Sequence, residues 1–577
     1  MNGNSEQFII AIDFGTAYSG YAFSLSPKGA EVDPFLKTWG KELGLDTPKT
    51  PTCILFNEDE EFLGFGYEAK TVYIKMRSEE TKKHYFFENF KMRLYDKKLS
   101  RDMTIEAANG KTMKALKVFT ESLRYLKDDA QKTIARNTEG RKFIPSDFTW
   151  VLTVPAIWDS SAKQFMREAA AQAGIITEGT QHHLIIALEP EAASVWCKRL
   201  PADGFITKNH DGRSLSQGTQ FMVVDCGGGT IDITVHKVLD GGALEELHKA
   251  SGNNLGGQTV DRKFKEFLRE IFSHGVWDEY ERNFPSEVQR IMNDFMFLKQ
   301  VDDDVHMVCP FNLGTLAQKR QEIEKFFETV VGASWDGGSI KISKERLRSF
   351  FAESLKGITD SLREILKKDL HIEYILLVGG YAESQILRQH VVHQFGYQCK
   401  VLCPFRPQEV IVKGAVQFGR TPAVVVSRKS AFTYGFGTAE IFDGSKHKTE
   451  KKHTVEGKDF CIDIFSKVVD EGENVRYNET RTHIVYPLKA NQRAVDFEFC
   501  CTANKNPEYI DEEGVKKVAS CCVDMPDTSG GINRAVKLEV KFGFTEITAT
   551  GTDMTSGLKS KVKFDFITGC MLNHPGK

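Results

Sequence analysis

Three stretches of the chain repeat one pattern: an apolar run, a short glycine turn and then polar residues. They are Phe8–Tyr21 (FIIAIDFGTAYSGY), Phe221–Val235 (FMVVDCGGGTIDITV) and Ile375–Ser384 (ILLVGGYAES). In the first two an Asp ends the run, glycine and threonine follow, and an alternating segment comes next (Ser19–Ser24 and Ile231–His236). Strand, tight glycine turn, strand predicts a hairpin, not a strand-to-helix turn. The two copies lie about 210 residues apart, and an internal duplication of two α/β lobes accounts for both. Between them Trp150–Trp158 predicts a strand that stops at Pro155. Ser160 or Ser161 then caps a helix over Ala162–Ala173, which Gly174 ends. Val260–Phe272 and Leu347–Leu366 carry apolar residues at helical spacing, and the α/β texture continues to about Gly419.

After Arg420 the pattern changes to short alternating runs separated by Gly, Asn, Asp and Pro. His483–Leu488, Ala494–Cys500, Ala535–Phe542, Thr545–Thr550 and Lys559–Phe566 read as strands of an all-β module. The organisation predicted is therefore an α/β domain over 1–420, with its second lobe beginning near 220. A linker over 421–430 and a β-rich module over 431–577 follow.

Composition narrows the function classes. The 76 basic and 79 acidic side chains leave a net charge of −3 and no basic stripe, which argues against a nucleic-acid partner. No apolar run approaches the roughly 20 residues of a membrane span. The N-terminal seven residues carry no basic charge and the apolar stretch meets Asp13, so no signal peptide is expected. The cysteines form no C-x-x-C pair, and the vicinal pairs Cys500–Cys501 and Cys521–Cys522 fall in strand-like runs. Reduced thiols in a cytoplasmic protein are the expectation.

The chemistry these turns suggest is a phosphate clamp. Glycines let backbone approach a polyanion, and successive turn N–H groups form an anion-binding concavity. Asp13 and Asp225, one at each turn, can reach Mg²⁺ through its water shell, while Thr16 and Thr230 offer hydroxyls. Gly379-Gly380 gives a nucleoside room beside the backbone. Any one glycine turn is ordinary; three in one chain, two of them sharing their Asp, Gly and Thr, favour the clamp. Gly64-Phe-Gly66-Tyr-Glu-Ala69 matches a dinucleotide fingerprint, but it follows an acidic turn and shows no apolar strand before a helix.

At these residues the chain resembles the superfamily of actin, sugar kinases and the 70-kDa heat-shock chaperones, and most closely the chaperones. Ile12–Ser19 is similar to their first phosphate motif, and Asp225–Asp232 with Leu255-Gly-Gly257 to the second. Lys49-Thr-Pro-Thr52 with Phe62-Leu-Gly64, Leu152–Ala156, Leu188–Ala193 and Lys413-Gly-Ala415 resemble further family segments. Gly379–Ser384, Lys413–Gly419, Phe432–Gly437 and Phe542–Ile547 resemble a divergent branch of that family. The resemblance implies a two-lobed actin-like ATPase domain of duplicated ribonuclease H-like lobes, then a C-terminal β-sandwich with no helical lid. It implies ATP or ADP with Mg²⁺ as cofactors, weak hydrolysis, and unfolded or regulatory protein partners held by the β-module. The alternatives are a nucleotide-sensing scaffold with negligible turnover and, third, a small-molecule kinase, which needs no β-module.

By the same resemblance Asp13 and Asp225 act on Mg²⁺ through water, Lys91 orients the γ-phosphate and attacking water, and Glu189 lies beside that water. Gly15, Thr16, Ala17, Tyr18, Gly227, Gly228, Gly229 and Thr230 hold phosphates. Gly257, Lys299, Gly379, Gly380 and Tyr381 complete the nucleotide pocket. Three departures weigh against fast turnover. Ala17 replaces a threonine, Glu383 replaces an arginine near the base, and Glu191 replaces the threonine of the EP-x-AA segment. The linker Thr421–Ser430 is basic where the family's is acidic and leucine-rich, which sets ordinary domain coupling in question.

Overall fold

The computed structural model describes residues 8–26, 33–95, 99–206, 215–542 and 546–567. Two lobes are built on the same plan. In the first, Phe8–Phe14 pairs antiparallel with Tyr18–Ser24 on one side and parallel with Phe148–Val154 on the other. Both Phe8–Phe14 and Phe148–Val154 are buried along their whole length, as apolar runs covered on both faces must be. In the second lobe Gln220–Cys226 pairs antiparallel with Ile231–Val238 and parallel with Tyr374–Val378. The third glycine turn thus stands beside the second, at the end of a neighbouring parallel strand.

The lobes share a core. Helices Glu189–Cys197 and Val410–Arg420 lie between the sheets, and one apolar cluster joins Ile9 and Ala11 of the first lobe to Ala193, Val223 and Val416. A side chain at Gly414 would strike the Ala192 carbonyl, so glycine there lets the two helices touch backbone to backbone.

Local chemistry shifts several predicted boundaries. The helix after the Trp150 strand spans Ser160–Gln172 and is capped by Asp159, not by Ser160 or Ser161. Asp159 Oδ1 accepts the Ala162 N–H at 2.9 Å, and Ser161 donates to the same oxygen at 2.7 Å. The single helix predicted over Leu347–Leu366 is two, Lys344–Ser349 and Ala352–Leu366, with Phe350 and Phe351 buried at the break. Around Gly64–Ala69 a strand, Phe62–Phe65, does run into a helix, Gly66–Lys75. Its sheet is antiparallel, however, unlike the parallel unit of a dinucleotide fold.

The largest difference is the linker. Val425–Lys429 is a strand of the second lobe's eight-stranded sheet, parallel to Leu244–Asn253, and it carries Asn474–Arg476 on its outer side. Its charge is what seats it: Arg428, with 14% of its side chain exposed, forms a two-pronged pair with buried Glu191 at 2.6 and 2.8 Å. The Lys429 N–H adds a bond to Glu246 Oε2 at 2.7 Å.

Among the described residues beyond Arg420 there is no α-helix. A nine-stranded sheet forms instead. Lys452–Val455, Lys458–Val469, Thr433–Ile441, Ala494–Thr502 and Lys516–Asp524 form one half, and Glu479–Val485, Val536–Phe542 and Ile547–Asp553 the other. Lys559–Phe564 pairs with both halves. Phe436, Phe497, Val523, Leu538 and Val540 fill the interior between them. The start of the predicted strand Thr545–Thr550 and the middle of the Phe542–Ile547 segment lie outside the described residues. No helix among the described residues is long and apolar enough to cross a membrane.

Candidate functional site

The two hairpin turns meet across the cleft between the lobes. A Cβ added to Gly228 would sit 2.8 Å from the Ala17 methyl, and one on Gly229 would sit 2.7 Å from Thr16 Oγ1 and overlap Met92 Sδ. Only glycine lets the second turn come this close to the first. The small Ala17, a departure from the family motif, lies at that seam. The second turn is braced from behind by the helix Gly257–Ile271. The Gly257 and Gln258 N–H groups donate to the Gly227 and Gly228 carbonyls at 3.0 and 2.8 Å, satisfying donors a helix start leaves open. Gly379 has φ of +86°, and a side chain there would overlap Asp225 Oδ1.

Every candidate residue named from the sequence, from Asp13 to Tyr381, lines a single cavity of about 660 Å³. At its inner end the carboxylates of Asp13, Glu189 and Asp225 line the wall, and buried Asp232 lies beside them. Lys91, on the short 3₁₀ turn Phe90–Leu94, donates to Glu189 Oε1 at 2.7 Å and lies 5.2 Å from the centre of the Trp158 ring. Asp13 accepts from Lys49 Nζ at 2.6 Å on one oxygen and from Thr153 at 3.0 Å on the other. Asp232 accepts the Ile157 N–H at 2.9 Å. Asp225 is buried, and its Oδ1 has no partner.

Burial and mutual repulsion set the protonation of this group. Burial pushes the Glu189 carboxyl up to about 7 against the pull of Lys91, with the Asp13 and Asp232 charges adding to it. Burial, then the charges of Glu189, Asp232 and Asp13, hold Asp225 well above the usual carboxylate range. Asp232 is raised mainly by burial.

The outer end of the cavity is closed by contacts from lobe to lobe. The Tyr18 hydroxyl meets Met296 Sδ, Gln258 donates to Asn89, and Gln289 Nε2 donates to Glu88 at 2.5 Å. Lys299 is paired with Asp261 at 2.5 Å. Tyr381 stacks on Phe351 at 6.1 Å, leaving Gly380 with open space beside it. Glu383 accepts from Gln408 at 2.7 Å, and burial raises its carboxyl, which lessens the negative charge it places in the pocket.

Lys49, Thr153 and Asp232 belong to this site; each falls inside a segment that resembles the family's, but none was assigned a role from the sequence. Lys49 precedes a Thr-Pro-Thr segment with no periodic or glycine signal of its own, and Asp232 sits in an alternating strand as any polar residue could. Among the described residues no three acidic, histidine or cysteine side chains converge to hold a bare metal ion. The unpartnered Asp225 oxygen and the glycine-walled cleft nonetheless fit a hydrated cation beside a polyphosphate.

Duplicated lobes that meet at paired glycine turns define an actin-like, nucleotide-binding class of protein. A family profile described as Hsp70 protein matches residues 47–421. Heat shock 70 kDa protein 12A of Homo sapiens is 33% identical over 97% of this chain and 91% of its own length. Heat shock 70 kDa protein 12B of Homo sapiens is 31% identical over the same shares. Chaperone protein DnaK of Mycoplasmopsis pulmonis (strain UAB CTIP) is 28% identical over 53% of this chain and 45% of its own. The chain belongs to the Hsp70 family, and its full-length likeness is to the 12A and 12B proteins.

Proposed function

We propose that the chain binds ATP and ADP with Mg²⁺ in the cleft, hydrolyses ATP slowly, and meets unfolded or regulatory protein partners through its β-module. The observation that carries the reading is the meeting of two glycine turns around the buried Lys91–Glu189 pair and the open oxygen of Asp225. Asp225 and Asp13 would hold Mg²⁺ through its water shell, and that ion supplies neutralisation of phosphate charge. Thr16, Thr230 and the turn backbones bind phosphate oxygens. Lys91 holds Glu189 in place and sets its positive charge toward the γ-phosphate. Ionised Glu189 orients a water and takes its proton as the oxygen bonds to phosphorus and the bond to ADP breaks. The described cysteines are free, which fits a reducing, cytoplasmic setting.

Single-turnover hydrolysis of labelled ATP tests the catalytic part. Lys91→Ala is expected to lower the rate by roughly a hundredfold. A second reading, a nucleotide-sensing scaffold, is favoured by the Glu189 carboxyl at about 7, which leaves the base partly protonated at neutral pH. A wild-type rate equal to that without enzyme selects the scaffold.

A further inference from the structure

The cleft holds a second buried ammonium that the Lys91–Glu189 pair does not involve. We propose that Lys49 is a cation built into the nucleotide site, sharing with the divalent ion the neutralisation of phosphate charge, so that nucleotide remains bound when divalent ions are removed. The inference rests on the nucleotide reading above and deepens it.

Lys49 lines the cavity beside Asp13 and the first glycine turn, and its side chain is 8% exposed. It is held there by the turn itself. Thr50 and Pro51 pair with Ser19 and Tyr18, the Thr52 N–H donates to the Ala17 carbonyl at 2.8 Å, and Thr52 Oγ1 donates to the Gly15 carbonyl at 2.8 Å. The lysine stem crosses Gly20, where a Cβ would come within 3.1 Å of Lys49 Cγ. The ammonium is thus delivered on the same piece of backbone that would bind phosphate.

Charge arithmetic shows what it does. Asp13, Glu189 and Asp225 are buried carboxylates lining this end of the cavity, buried Asp232 lies beside them, and each repels a polyphosphate when ionised. Lys91 is engaged with Glu189, and Lys49 with Asp13. Asp13 has protein donors on both oxygens, whereas Asp225 Oδ1 and Asp232 Oδ2 have none; of these two Asp225 lines the cavity, so it offers a hydrated cation a more open carboxylate than Asp13 does. Among the described residues Asp13 is the hydrogen-bond partner of the Lys49 ammonium. An ammonium has three N–H donors, so two remain for phosphate oxygens.

The test is calorimetry with ADP, which avoids turnover, in buffers containing magnesium or a chelator. Chelation is expected to weaken ADP binding to the wild-type chain by no more than roughly tenfold, and to Lys49→Met by roughly a hundredfold or more. Lys49→Arg keeps the wild-type response. Because Lys49→Met leaves Asp13 buried and unpaired, Lys49→Met with Asp13→Asn is measured beside it and loses ADP in chelator in the same way. Wild-type chain that binds ADP with magnesium but releases it as fully as Lys49→Met on chelation overturns the role of Lys49 alone. Wild-type chain that binds no ADP even with magnesium overturns the nucleotide reading as well.

Discussion

Asp225 shows what the site costs at the residue scale. Its carboxyl is raised in the folded chain, first by burial and then by three neighbouring acids. A raised carboxyl favours folding fully below the unfolded value and loses that contribution as pH rises through the folded value. Asp225→Asn is therefore expected to stabilise the nucleotide-free chain at pH 7.5 and to do little at pH 4, as melting curves at the two values would show. The same change weakens affinity for Mg²⁺–ATP, and unchanged calorimetric affinity would sink the assignment. Glu189 sets a second expectation. With its carboxyl at about 7, single-turnover hydrolysis rises between pH 6 and pH 8, and Glu189→Gln abolishes the rise. The glycines of both turns were legible as sequence because their spacing encodes the turn. Lys49 was not, because a lysine's role depends on the carboxylate it meets.

At the scale of elements, the strand Val425–Lys429 joins two features that look like separate defects in the sequence. Glu191 and the basic linker each depart from the family pattern, and in the fold they neutralise one another inside the protein. Glu191 stands two residues after Glu189 on the helix Glu189–Cys197, so the phosphate end of the cleft and the strand are braced by one element. Arg428→Met leaves Glu191 buried and unpaired and is expected to cost about 3–5 kcal/mol in chemical denaturation. Adding Glu191→Leu recovers most of that, since a paired buried charge contributes little net stability. Glu246 lies under the same strand with its carboxyl raised to about 8 by burial and by the Glu191 charge. Its contribution to folding is present below the unfolded value and lost as pH rises toward 8. Glu246→Gln should raise the melting temperature at pH 8.5 and leave it nearly unchanged at pH 4.

At the scale of the whole molecule, the β-module is docked on both lobes. Arg167 of the helix Ser160–Gln172 holds Glu546 at 2.6 and 2.5 Å. Arg101 and Gln164 bind Asp565, and the Phe566 N–H donates to Gln164 at 2.8 Å. On the second lobe Lys249 pairs with Glu471 at 2.5 Å. The first-lobe contacts are partly exposed, and exposed pairs contribute about 0–1 kcal/mol each. Ile567 is buried in the first lobe's core, so replacing Arg101 and Arg167 together by alanine is expected to cost no more than about 2 kcal/mol and to leave the module seated. Small-angle scattering would show an unchanged radius of gyration, and an increased radius would contradict this.

The sequence by itself determined the repeated hairpins, the α/β body, the change to β texture after Arg420 and most of the phosphate-end residues. These are local matters: glycine spacing, strand alternation and an Asp at a strand end act within a few residues. Helix caps and breaks, such as Asp159 and the junction at Phe350–Phe351, were only half visible, because several neighbouring residues could serve. What the tertiary structure alone decided is which charges meet. Asp13 finds Lys49 across 36 residues and Glu191 finds Arg428 across 237, and in each case the fold, by making distant elements neighbours, turns an isolated buried charge into a pair.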